Sequence, residues 1–85
     1  MPTRMPKVRR ENVPPALLAH LEDRRRKWSI SYDEIAGLAL WLDTDPEVPP
    51  GRWFKDFSSF FICGDGDLVK TLLPKGRLPA GEEVF

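Results

Sequence analysis

Cysteine and histidine each occur once in this 85-residue chain, as Cys63 and His20, and long apolar runs are missing. One thiol excludes an internal disulfide and any metal site built on cysteines, and it fits a reducing compartment. One histidine, between the apolar neighbours Ala19 and Leu21, leaves little for general acid–base work. No pair of carboxylates stands out as a catalytic couple. Gly64-Asp65-Gly66-Asp67 lacks the ligand spacing and closing glutamate of a calcium loop. It also lacks the lysine and hydroxyl residue that complete a phosphate loop. No cofactor and no metal are therefore expected. No apolar stretch has the length of a membrane-crossing helix, so no membrane partner is expected. The basic start (Arg4, Lys7, Arg9, Arg10) superficially suits a secretory signal. The apolar stretch from Ala16 to Leu21 is too short for one and contains His20, so a cytoplasmic location is expected.

Charge of one sign is also missing locally. Lysines and arginines balance acids at 13 each, but residues 31–50 hold five acids and no base. Residues 1–30 hold eight bases against Glu11, Glu22 and Asp23. A neutral total argues against a dedicated electrostatic binder of nucleic acid, while the basic first third keeps that reading as an alternative. The simpler expectation is that the basic and acidic segments lie side by side and neutralise each other.

What is present reads as a single α+β domain: two N-terminal helices packed on a small antiparallel sheet containing a β-hairpin. Residues 1–13, basic and without apolar period, read as a flexible arm, and residues 14–85 as the domain. The pair Pro14-Pro15 suits the first turn of a helix, where the missing N–H groups have no partner to lose. Leu17, Leu21 and Trp28 recur at helical spacing, widened by Leu18. Glu22 precedes Arg26, and Asp23 precedes Lys27, by the four residues that favour helix ion pairs. Ser31-Tyr32-Asp33-Glu34 is a capping box, and Ile30 and Ile35 have the spacing of a hydrophobic staple. The second helix should run to about Leu42, and from Ala36 it is apolar all round. Such a helix must be covered on most sides, and a second subunit is expected to help cover it.

After a connection holding Pro46, Pro49 and Pro50, the runs Phe60 to Cys63 and Leu68 to Leu73 flank an Asp-Gly turn signal. A two-residue turn at Asp65-Gly66 pairs Cys63 with Leu68 and Ile62 with Val69. Both faces of that hairpin are mostly apolar. Trp53 to Phe57 and Glu83 to Phe85 are candidate additional strands. The three prolines exclude the recognition helix of a helix–turn–helix motif.

The leading functional expectation is a non-enzymatic interaction module binding a protein partner, with a homodimer as the simplest form. Its candidate contacts are Trp53, Phe54, Phe61 and Trp41, because large aromatics anchor interfaces. The alternative is nucleic-acid binding through Arg9, Arg10, Arg24 and Arg25, joined by Arg52 and Lys55. A second alternative is a small enzyme using His20 or Cys63.

Overall fold

A computed structural model describes residues 6–85. Helix α1 spans Pro15–Lys27 and helix α2 spans Tyr32–Asp43. Strands β1 (Arg52–Asp56), β2 (Phe60–Asp65), β3 (Leu68–Pro74) and β4 (Glu82–Glu83) follow. They form one sheet in the order β3-β2-β1-β4. The α+β class expected from the sequence is the one observed. The sheet is mixed: β1, β2 and β3 are antiparallel neighbours, and β4 lies parallel to β1.

Both helices form where the sequence places them. At the start of α2 the Glu34 N–H donates to the Ser31 hydroxyl (3.1 Å). The Glu34 carboxylate reaches back to the Ser31 N–H (3.5 Å), closing the capping box. Such a cap stabilises a helix by about 0.5–2 kcal/mol. Ser29, at φ 53°, ends α1 in the left-handed conformation, and the Ile30 N–H donates back to the Arg25 carbonyl (3.0 Å). That turn drops Ile30 into the core.

Trp53 joins the layers. It is fully buried on the inner face of β1, opposite Gly64 of β2. Its ring lies across Gly64, where a side-chain carbon would overlap the indole. Its indole N–H donates to the Gly66 carbonyl at the hairpin turn (2.9 Å). From α2, the Trp41 ring meets Trp53 edge-on (5.8 Å) and Phe57 likewise (6.1 Å). Phe57 stacks on Phe60 (5.4 Å), so α2 is held to the sheet through four aromatic rings.

The hairpin register differs from the expected one. Asp65 pairs with Leu68 and Gly64 with Val69, so the turn residues are Gly66 and Asp67. Gly66, at φ +59°, takes the first loop position because it adopts a positive φ without strain. A bulge then shifts the register between Cys63 and Gly64, and Ile62 faces Leu72. The extra residue moves Leu72 to the buried inner face and Thr71 and Leu73 to the outer one.

Residues 6–13, expected as part of a flexible arm, are fastened to the domain; residues 1–5 lie outside the described residues. The Val8 N–H donates to the Pro46 carbonyl (3.1 Å), and the Val48 N–H donates to the Pro6 carbonyl (2.9 Å). This bridge carries Val8 and Val48 into the core, both fully buried. The physical reason is the proline-rich connection. Its extended backbone cannot form a helix, so its free N–H and C=O groups need an extended partner.

Two outcomes follow from this packing. Gly64→Ala should lower unfolding stability by about 2–3 kcal/mol, read from urea denaturation, because the new carbon displaces the Trp53 ring. Val8→Ala should cost about 2 kcal/mol in the same experiment, where an unattached arm would show no change.

Candidate functional site

Three surface features stand out once the elements are in place. The first is an apolar groove of about 300 Å³ between α1 and α2. Leu18 and Leu21 form its α1 wall, Ile35, Ala39 and Leu42 its α2 wall, Leu38 lies at its base, and Val13 and Arg10 of the N-terminal segment also line it. Leu18 is 54% exposed. By helical spacing, Ala36 and Leu40 carry this apolar surface round to the outer side of α2. Leu40 is 67% exposed. The expectation that α2 needs cover on most sides is thus met only toward the sheet.

The second feature is a cleft of about 340 Å³ between α1 and β3, with His20, Arg24 and Lys70 on its walls. The third is a cleft on the outer face of the sheet, of about 360 Å³, beside Cys63, Thr71, Leu73 and Ala80. There, burial pushes the Cys63 thiol above its ordinary pKa, which disfavours the reactive thiolate. His20 and Cys63 line different clefts. Among the described residues, no group of three or more His, Cys, Asp and Glu side chains gathers to hold a metal. No described helix is long and apolar enough to cross a membrane.

The aromatic candidates do not form one surface. Trp53, a candidate partner contact, is a core residue with none of its surface accessible. Trp41 is half-buried in the cluster between α2 and the sheet. Phe54 and Phe61 sit edge-to-face on the outer side of the sheet (5.8 Å). Phe61 is only 9% exposed and has the Lys75 ammonium over its ring (4.4 Å).

No match to a family model, a curated protein or a solved structure is found. The residues alone therefore carry the functional argument.

The basic candidates are largely neutralised within the chain. Arg9 faces Asp45 (3.5 Å) and Arg10 grips Asp43 (2.8 Å), so the basic start and the acidic segment do lie together. Arg24 pairs with Asp23 (2.9 Å) and lies over the Trp28 ring. Arg25 makes a two-pronged contact with Glu22 (2.9 and 3.2 Å) and covers the Tyr32 ring. The expected pairs Glu22–Arg26 (3.8 Å) and Asp23–Lys27 (3.3 Å) also form. Lys55 lies over the Trp41 and Phe57 rings, at the edge of the aromatic cluster. Arg52 is exposed at the start of β1.

Glu34 does more than cap its own helix. Its carboxylate accepts from the Ser59 N–H (2.9 Å) and the Ser59 hydroxyl (2.8 Å). It therefore ties α2 to the turn between β1 and β2. Burial pushes the Glu34 carboxyl up, but the hydrogen bonds from Ser59 and Ser31 outweigh this and hold it below its ordinary value. The Arg25 hydrogen bond lowers Glu22, and the Lys75 hydrogen bond lowers Asp56. A carboxyl lowered in the folded state contributes stability above its unfolded pKa and loses it as pH falls through the folded one. The urea midpoint should hold steady from about pH 7 to about pH 5 and drop below the ordinary carboxylate range, about 4. Glu34→Gln should lower the midpoint at neutral pH and flatten that acid drop.

Proposed function

We propose that this chain is a non-enzymatic interaction module whose first partner is a second copy of itself, seated on the α1/α2 groove. The single observation that carries the reading is the open apolar groove, flanked by exposed Leu18 and continued by exposed Leu40. Two large exposed leucines on neighbouring helices make an apolar surface that association would remove from water.

Charge favours a second copy over an unrelated protein. Helix α1 ends in Arg25, Arg26 and Lys27 beside Glu22 and Asp23, with Arg24 turned to its other flank, whereas α2 carries Asp33 and Asp43 besides the engaged Glu34 and has no base. A two-fold axis along the groove sets the acidic helix of each copy beside the basic helix of the other, a self-complementary arrangement. Ala39 in the groove and Ala36 beside it are small enough to let the facing helix approach closely. Because the arginine pairs within the chain already neutralise much of the charge, the apolar contacts supply the affinity and the rim charges the register.

Light scattering after gel filtration tests this. The unmodified chain should elute at twice the chain mass. Leu18→Asp and Leu40→Asp should each weaken association by about tenfold or more, because each places a carboxylate in an apolar contact. Both positions are exposed, so the monomeric variants should keep the unfolding midpoint that the parent shows when too dilute to associate. A chain that stays monomeric at about 1 mM, or leucine variants that associate as well as the parent, would contradict the proposal.

A further inference from the structure

The cleft between α1 and β3 has chemistry of its own, on the flank of α1 away from the groove. Ala16, His20 and Arg24 recur every four residues on that flank, while Leu18 faces the groove and Leu17 lies buried beneath. The cleft also touches Lys70, Thr71 and Leu72, three consecutive residues of β3. Successive residues of a strand point to opposite faces, so a cleft that meets three in a row lies along the strand's edge.

That edge is open. Among the described residues β3 is the outermost strand, and its only strand neighbour is β2. Of its backbone groups, only the Pro74 carbonyl bonds elsewhere along the described backbone, to the Arg77 N–H (3.1 Å). The Leu72 carbonyl accepts a long bond from the Thr71 hydroxyl (3.3 Å). The N–H and C=O groups on the outer side of an edge strand are a template for one more strand. From Thr71 to Pro74 the pairing with β2 is regular, so this stretch is straight enough to serve.

The walls select the charge of what enters. Lys70, the extra residue of the bulge, borders this cleft with His20 and Arg24, and it also borders the cleft on the outer face of the sheet. Neither Lys70 nor His20 has an ion-pair or hydrogen-bond partner among the described side chains, while Arg24 shares Asp23. A single lysine on an edge strand is a common guard against unwanted pairing. Such a guard needs no second cation; here three cationic or protonatable groups converge on one cleft. Pairing of β3 with β3 of a second copy would bring like-charged Lys70 residues together, which disfavours that occupant.

We propose that the α1/β3 cleft binds an extended acidic peptide segment, which adds as a strand to the β3 edge with its carboxylates facing Lys70, His20 and Arg24. The edge supplies main-chain hydrogen bonds and the three basic groups supply specificity. A peptide fits better than a nucleic acid because only a peptide backbone can continue the ladder. The proposal goes beyond self-association and does not depend on it, since the two surfaces occupy opposite flanks of α1.

The test is a titration of the isotope-labelled full chain, followed by its amide NMR signals. The probe is a short peptide of alternating glutamate and threonine, added up to about 1 mM. Signals of residues 70–73 and 16–24 should move together, and raised salt should reduce the binding. Lys70→Glu should weaken binding by about tenfold or more, with Arg77→Glu as an exposed control that leaves it unchanged. Methylating alternate backbone nitrogens of the peptide should abolish binding by removing its ladder donors. Equal binding of the methylated peptide, equal binding of a lysine–threonine peptide, or no shift at β3 would overturn the proposal. Tighter binding of a single-stranded oligonucleotide at the same residues would assign the cleft to phosphate instead. A Lys70→Glu chain that loses self-association would assign the edge to a second copy.

Discussion

The contact of Trp53 with Gly64 is the constraint on which the arrangement of the domain depends. The indole occupies the space where any residue but glycine at position 64 would place a side-chain carbon, and its N–H closes on the hairpin turn. One residue thereby sets the β1–β2 register, the position of the Gly66-Asp67 turn and the platform on which Trp41 of α2 rests. Burial of so large a ring contributes several kcal/mol, a substantial share of the stability available to a small domain. The same contact explains why Trp53 is not a surface anchor: the domain needs it inside.

A second constraint is the segregation of charge along the chain. The proline-rich acidic connection has backbone groups without partners and carboxylates without counterions. The basic N-terminal segment supplies both, through the Val8–Pro46 and Val48–Pro6 hydrogen bonds and the Arg9–Asp45 and Arg10–Asp43 pairs. With those arginines engaged, the surface keeps the apolar groove between the helices, the small cationic cleft beside β3 and the cleft on the outer face of the sheet. The groove exists because α1 and α2 both turn buried leucines toward the sheet and still have apolar residues left over on the sides facing each other.

Local signals made much of the fold legible. The prolines before α1, the Ser31–Glu34 box and the acid–base spacing of α1 are short-range chemistry, and each is observed. The hairpin was legible as a hairpin, but its turn lay one residue further on. The bulge at Lys70 answers to the demand that Leu72 be buried, which no local pattern reveals. Val8 and Val48 were illegible as core because each is a lone apolar residue among charges and prolines, and only their mutual pairing buries them. The candidate surfaces were illegible for the same reason. The groove needs the relative placement of two helices, and the cleft needs β3 to lie at the sheet edge beside α1. The apolar excess of α2 did point to an uncovered surface, and there the sequence pattern and the structure agree.

An aromatic joint holds the layers together, and the groove between the helices is left uncovered. We propose that the groove between α1 and α2 is where two copies meet. Nuclear Overhauser contacts between an isotope-labelled copy and an unlabelled one in a mixed sample test this most directly. The account predicts intermolecular contacts among the methyl groups of Leu18, Leu21, Ile35 and Leu40. Contacts confined to the outer face of the sheet, at Leu73 or Phe54, or no intermolecular contact at about 1 mM, would contradict it.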